Sequence, residues 1–294
     1  MLSILIPTYN YNVYPLLTEL KKQADLANLP YEILVLDDAS SLFITENSKI
    51  NAFENCSYFQ NEQNLGRTTT RTILAKKAKF ETLLFLDADV FPETSSFVLN
   101  YKNEISKLDN RVIFGGYKYA STPPEHSKSL RYYYGKAREE KDAETRNKNP
   151  FGFVFSGNML VSKTVFLDTN YKKTANLYGL DILFSHQLYS KNIEVFHIEN
   201  AIFHNGLEAN EVFFNKSLES VQSRKQLLSE VENGGEINSL FRYYLILKRL
   251  KLQFLAKFLF KWSKNHLKNK IIAEKPNLLY FDLYRLGYIC SLED

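Results

Sequence analysis

The chain is poor in the residues that staple small folds and ligate zinc. Its 294 residues include two cysteines, Cys56 and Cys290, far apart and in no metal-ligand spacing. A disulfide framework and a cysteine zinc site are thereby excluded, and two reduced thiols are expected. No run of about 18 uncharged apolar residues occurs, so no membrane-spanning helix is expected. The opening MLSILIPTYN is apolar for only about five residues and has no basic flank or small-residue cleavage site, so no signal peptide is expected. Glycine is sparse at 11 residues, and the glycine-lined phosphate seats are missing. The absence of GxGxxG from IPTYNYN argues against a Rossmann dehydrogenase, and the absence of GxxxxGK[ST] removes a P-loop. The absence of GxSxG removes a nucleophile elbow.

What is present is a chain able to build a large core. Apolar residues make up 45%, with 19 tyrosines and 22 phenylalanines. In the first half, short apolar runs alternate with longer amphipathic ones. LSILI (2–6), EILVL (32–36), CSYFQ (56–60) and TLLFL (82–86) read as strands. Residues 13–28 and the segment after Gly66 read as helices between them. That alternation predicts an α/β fold, with a mainly parallel sheet flanked by helices. Residues 117–150 read as a long insertion rich in Tyr, Lys and Arg, a candidate lid or a surface excursion packed by its own tyrosines. Residues 178–192 read as a helix with Asp181 in its first turn, and the chain reads as helical after about residue 215.

In such sheets, ligands bind outside the carboxyl ends of the strands. The polar residues fall there: Thr8-Tyr9-Asn10, Asp37-Asp38, then Asp87 and Asp89. Two carboxylates at i and i+2 beyond a strand suit a hard divalent cation completed by substrate phosphates, or else form a solvated turn. Asp38 can accept hydrogen bonds from a nucleobase or ribose, or cap a turn. Tyr9 can stack on a base or sit in the core. Arg67 and Arg71, one helical turn apart, can approach phosphates or line a solvated face.

Taken in order, SILIPTYN, EILVLDDAS, NEQNLGR, FLDAD, FSGNMLVSK and YGLDILFSHQLYSKNIEVF resemble family 2 glycosyltransferases of the GT-A fold over roughly residues 1–205. The resemblance implies a GT-A catalytic domain over 1–215 and a helical extension over 216–294. It implies that Pro7, Tyr9, Asp38, Arg67, Arg71 and Asp87 hold a nucleotide-sugar donor, expected to be a UDP-sugar, while Asp37 supports the turn. Asp89, the second acid of the DxD, and His204 would hold Mn²⁺ or Mg²⁺. Asp181 would be the general base of an inverting transfer to a hydroxyl of a glycan or lipid-linked acceptor, in bacterial cell-surface polysaccharide synthesis. Leu180 departs from the family pattern, which has Glu at that place. It leaves open a non-catalytic nucleotide-sugar-binding relative. A sugar-1-phosphate nucleotidyltransferase would want a glycine-rich basic signature after the first strand, which is absent.

Charge is uneven. Residues 240–275 carry ten Lys/Arg against Glu274, so this segment is +9 in a chain of net +4 and the rest is −5. Read as one helix over 240–268, it sets Arg242, Arg249, Lys257, Lys261, Lys264 and Lys268 in one arc of about 120°. Phe241, Tyr244, Leu247, Leu255, Phe258, Leu259 and Trp262 fall opposite. Such a helix suits peripheral contact at the inner face of the cell membrane, or else packs on protein, including a homodimer partner. Nucleic acid is not expected as a partner, and a cytoplasmic location is.

Overall fold

The computed structural model describes residues 1–171 and 179–293. In chain order the strands are β1 (Leu2–Thr8), β2 (Tyr31–Asp37), β3 (Cys56–Gln60), β4 (Thr82–Leu86), β5 (Val90–Pro92), β6 (Arg111–Phe114), β7 (Tyr117–Lys118), β8 (Asn158–Ser162), β9 (Glu194–His197) and β10 (Ile202–His204). The chain divides into two compact units. The first holds Met1–Lys118, Lys141–Asn176 and Gln187–Gly206, and the second holds Tyr119–Glu140, Leu177–His186 and Leu207–Asp294.

The first unit is built on a seven-stranded sheet in the order β3-β2-β1-β4-β8-β6-β9. β1 lies parallel to both β2 and β4. β8 runs antiparallel to β4 and β6. The fold is thus the mostly parallel α/β type that the sequence predicts. Every residue of β1 is buried, as expected of a strand covered on both faces. Pairing of β1 with β4 ends at Leu5↔Phe85, whereas pairing with β2 continues to Thr8↔Asp37. Pro7, which lacks an N–H, therefore sits where the strand has a single neighbour, and β1 outlasts the end read at residue 6. A three-stranded sheet, in the order β5-β10-β7, accompanies the larger one. Its strands are two or three residues long, too short to show a period, and β5 and β7 are not legible in the sequence.

The sequence reads 117–150 as one insertion, but the structure divides it. Tyr117 lies in β7, residues 119–140 belong to the second unit, and Arg146 is buried in the first. Arg146 donates to the carbonyls of Lys141 (3.1 Å), Phe114 (3.3 Å), Gly115 (3.3 Å) and Ile198 (2.7 Å). It also meets Nδ1 of His197 at 3.3 Å, while Nε2 of His197 meets the Pro150 carbonyl at 3.0 Å. The guanidinium thus fastens the ends of β6 and β9 and does not serve a lid. Burial, with the Arg146 charge beside it, lowers the His197 imidazole to about 4, against the upward pull of its bond to Pro150. The ring is neutral, accepting from Arg146 and donating to Pro150.

The helices, in chain order, are α1 (Tyr14–Ala27), α2 (Ile44–Ser48), α3 (Arg67–Lys77), α4 (Phe97–Glu104), α5 (Ser129–Arg138), α6 (Ala143–Asn147), α7 (Lys163–Thr169), α8 (Asp181–Ser190), α9 (Asn210–Ser229), α10 (Gly234–Ile237), α11 (Ser239–Arg249), α12 (Gln253–Ile271) and α13 (Leu278–Ser291). The second unit closes on an aromatic core of Leu130, Phe213, Phe214, Phe260, Ile271, Phe281 and Tyr284. α12 lies against α13 so closely that a Cβ at Gly287 would stand 2.5 Å from the Phe260 ring. The single helix read over 240–268 is two helices. Lys251 takes φ +57° between α11 and α12, and Phe241 and Tyr244 are buried while Leu255, Phe258, Leu259 and Trp262 are exposed. One helical wheel therefore does not describe this segment.

Candidate functional site

The site grows from the carboxyl ends of the adjacent strands β2, β1 and β4. Asn10, at φ +50°, takes the left-handed turn after β1. Its Oδ1 accepts from the N–H of Ser41 (2.9 Å) and Leu42 (3.2 Å), and its own N–H donates to Ser40 Oγ at 2.7 Å. The loops after β1 and β2 are so tied together. Tyr9 stands 55% exposed on this edge, a ring face open to a ligand, while Pro7 beside it is buried.

The two acids after β2 divide their work. Asp37 is fully buried, accepts from Ser40 N–H at 2.7 Å and from the Tyr58 hydroxyl at 2.7 Å, and supports the turn. Asp38 reaches the loop that starts α3. Its Oδ1 accepts from Asn61 Nδ2 and Leu65 N–H, both at 2.9 Å, and its Oδ2 from Gly66 N–H at 2.8 Å. A carboxylate has about four lone-pair sites, so three bonds leave one acceptor position. Asp38 thus fixes the N-terminus of α3, and with it Arg67 and Arg71.

Both arginines turn to Asp87, just beyond β4. Arg71 Nη2 lies 2.6 Å from Oδ1 in a buried pair, and the half-exposed Arg67 Nη1 lies 3.5 Å from Oδ2. Burial pushes the Asp87 carboxyl up, but Arg71, then Arg67 and His204, outweigh it and hold it below the usual carboxylate range. Gly157 presses on the other side. A Cβ there would stand 2.2 Å from Asp87 Oδ2 and 2.3 Å from the Tyr117 hydroxyl. The Asp87 N–H donates to the Gly157 carbonyl at 3.2 Å, so glycine is what permits this close approach.

Asp89 is brought to His204 by the small sheet. β5 and β10 pair antiparallel with Val90↔His204, and Asn205 N–H donates to the Asp89 carbonyl at 2.8 Å. His204 Nε2 then lies 3.8 Å from Asp89 Oδ2, with its ring edge-on to Tyr117 at 5.7 Å. A Cβ at Gly206 would fall 1.7 Å from Asp89 Oδ2, so only glycine leaves that carboxylate its place. Burial, then the Asp89 charge, raises the phenol of nearby Tyr11.

Among the described residues no group of three His, Cys, Asp or Glu side chains gathers as a metal cage. The pair Asp89–His204 supplies one oxygen and one nitrogen on paired strands. That donor set fits Mg²⁺ or Mn²⁺ whose remaining positions are filled by diphosphate oxygens and water. The structure therefore brings Asp38, Arg67, Arg71, Asp87, Asp89 and His204 into one connected neighbourhood. Gly157, Gly206 and Tyr11 join them without having been legible as site residues, and Tyr117 joins from the tyrosine-rich stretch read over 117–150. The only sequence signals for the two glycines are their places beside polar residues in FSGN and HNG.

Asp181 belongs to the second unit. It is half-buried at the first position of α8. Leu180 before it is buried, and its carbonyl accepts from Leu183 (3.0 Å) and Phe184 (3.2 Å). Gly179, at φ +93°, turns the chain into the helix, and a Cβ there would lie 2.6 Å from Ser220 Oγ. Backbone bonds and apolar burial thus hold the helix start where the family pattern has a glutamate. Residue 178, the tyrosine of YGLD, lies outside the described residues.

A family profile described as "Glycosyl transferase family 2" matches residues 3–168. A comparison with curated proteins finds no match. Among solved structures, S. aureus TarS 1–349 in complex with UDP-GlcNAc aligns with a TM-score of 0.53 at 17% identity, covering 97% of this chain and 89% of that one. The Pyrobaculum calidifontis mannosyltransferase PcManGT, in complex with GDP-Man and Mn²⁺, aligns with a TM-score of 0.52 at 14% identity, covering 79% and 65%. The chain spans 39% of the length of a longer S. aureus TarS structure. At these identities the structural likeness is one of fold.

Proposed function

The chain belongs to glycosyl transferase family 2, a family of glycosyltransferases, and from that premise we propose an inverting, metal-dependent transfer of a sugar from a nucleotide-sugar, taken here as a UDP-sugar. The acceptor in this reading is a hydroxyl of a glycan or lipid-linked glycan. The setting is bacterial cell-surface polysaccharide synthesis on the cytoplasmic side, at the inner face of the membrane. The functional division is a catalytic domain over 1–215 and a helical extension over 216–294. The single observation that carries the reading is the Asp89–His204 pair, 3.8 Å apart, beside Asp87 and its two arginines. Nucleotide-sugar complexes of TarS and of the mannosyltransferase, the latter with Mn²⁺, support the donor class and the ion.

Each residue has a stated task. Tyr9 stacks on the base, Pro7 shapes the floor beneath it, and the remaining acceptor position of Asp38 takes a donor hydroxyl or imide. Asp87 holds Arg71 and steadies Arg67, whose half-exposed guanidinium faces the diphosphate. Asp89 and His204 would hold the divalent ion. When bound, that ion neutralises charge on the departing nucleoside diphosphate. Asp181 takes the proton from the acceptor hydroxyl as its oxygen attacks the anomeric carbon. One base and one displacement invert the configuration, with no second carboxylate nucleophile.

The test is nucleoside diphosphate release from a panel of UDP-, GDP- and dTDP-sugars with Mn²⁺. One donor should turn over, and Asp89→Ala should abolish the release. Asp181→Asn should keep the donor-induced rise in melting temperature and lose transfer. Release indifferent to EDTA, or normal transfer by Asp181→Asn, overturns the assignment.

A further inference from the structure

The strongest unexplained surface lies on α12. At 100° per residue its side chains sort into three arcs. Phe260, Leu267 and Ile271 form the packed side, and Phe260 and Ile271 belong to the aromatic core of the second unit. Phe254, Leu255, Phe258, Leu259 and Trp262 fall in an arc of about 140° on the opposite side. All five are exposed, Phe254 to 82% and Trp262 to 87%. Lys257, Lys261, Lys264 and Lys268 form a band along one border of that arc. Lys268 turns back to Glu211 at 2.9 Å, and Lys257, Lys261 and Lys264 are exposed. Leu250 and Leu252, in the turn before the helix, are exposed as well.

A run of exposed apolar side chains rimmed by polar ones marks an interaction surface. The stripe carries three aromatic rings at successive turns, flanked by cations and by no acid between Leu240 and Ala273. A two-fold pairing with a second copy would set this +9 segment against itself, because the interface of such a dimer uses the same patch twice. An anionic bilayer reverses that sign. Lysine stems lie along the headgroups while the rings enter the acyl boundary. No described helix is long and apolar enough to cross a membrane, which leaves α12 lying in the interface plane.

We propose that the Phe254–Trp262 face of α12 is a docking surface for an anionic phospholipid bilayer, with Lys257, Lys261 and Lys264 as its electrostatic border. The inference stands on the second unit alone and requires neither a donor nor turnover. Its failure and that of the proposed transfer are therefore separately visible.

Trp262 is the chain's one tryptophan and sits in the centre of the stripe, so its emission reports the event directly. The full chain is mixed with vesicles of phosphatidylcholine alone, or of phosphatidylcholine with about 30% phosphatidylglycerol, and followed by emission and co-sedimentation. Anionic vesicles should sediment the protein and shift Trp262 emission to the blue, neutral ones should do so at least about tenfold more weakly, and about 0.5 M salt should release it. The double variant Phe254→Glu/Phe258→Glu should lose binding, and so should Lys257→Glu/Lys261→Glu. Both should keep the wild-type melting temperature and far-UV circular dichroism. Equal binding to neutral and anionic vesicles, or no binding to either, overturns the proposal. So does a blue shift that grows with protein concentration in the absence of lipid, which would make a second copy the occupant.

Discussion

Two glycines without side chains govern where two carboxylates stand. Asp87 and Asp89 are plain in the sequence, as is the carboxyl-end rule that makes them interesting. What the sequence hides is that Gly157 and Gly206 are pressed against them, because a close approach across loops leaves no local period or propensity. Gly206→Ala places a Cβ 1.7 Å from Asp89 Oδ2. It should lower metal-dependent donor turnover by about tenfold or more through a displaced ligand. Its stability in urea should stay within about 1 kcal/mol of wild type, since the residue lies in a loop outside the core. Wild-type turnover by Gly206→Ala would detach Asp89 from the reaction.

His197 is likewise visible only in the fold. Its imidazole titrates near 4 in the folded chain, below the ordinary histidine value, because it is buried beside Arg146. The unfolded chain therefore takes up this proton first as pH falls. The stabilising contribution is complete above about pH 6.5 and is lost as pH falls toward about 4, on the order of 3 kcal/mol in all. Urea midpoints measured across that window should fall for the wild type. His197→Gln, which lacks the titrating ring, should show a correspondingly flatter profile.

Among the elements, legibility followed length. β2, β3 and β4 stand within a residue of the runs read for them; β2 and β4 are buried and so read as continuous apolar runs, while β3 is a half-exposed edge strand. α1 is bracketed as read, with Asn28 in a left-handed cap. The three-residue β5, whose pairing with β10 carries Asp89 to His204, is too short for any period to show. The split between α11 and α12 was hidden for a different reason. Lys251 at φ +57° breaks the helix, yet lysine is an ordinary helix former. Apolar periodicity in this tail also has two origins, a packed face and an exposed one, and sequence alone does not separate them. The α12–α13 contact makes the packed face testable. Gly287→Ala overlaps the Phe260 ring and should cost about 1–3 kcal/mol in urea unfolding. An unchanged midpoint would mean that the two helices do not pack as described.

For the molecule as a whole, charge and chemistry are segregated along the chain. The acids and arginines that surround the proposed donor lie within residues 38–89, joined by His204, in the −5 portion, while the +9 segment lies in the C-terminal helices. Family membership and the mixed sheet were legible because six motifs occur in order over two-thirds of the chain. Donor identity was not, since the loops that shape a donor pocket carry no period from which its shape could be read.

The most direct test is calorimetric affinity for the UDP-sugar, or whichever donor turns over, measured with Mn²⁺ and with EDTA on the wild type and on Asp89→Ala. The account predicts that Mn²⁺ tightens donor binding by at least about tenfold in the wild type and gives no gain in Asp89→Ala. Equal affinity in EDTA, or the same gain in the variant as in the wild type, would contradict it.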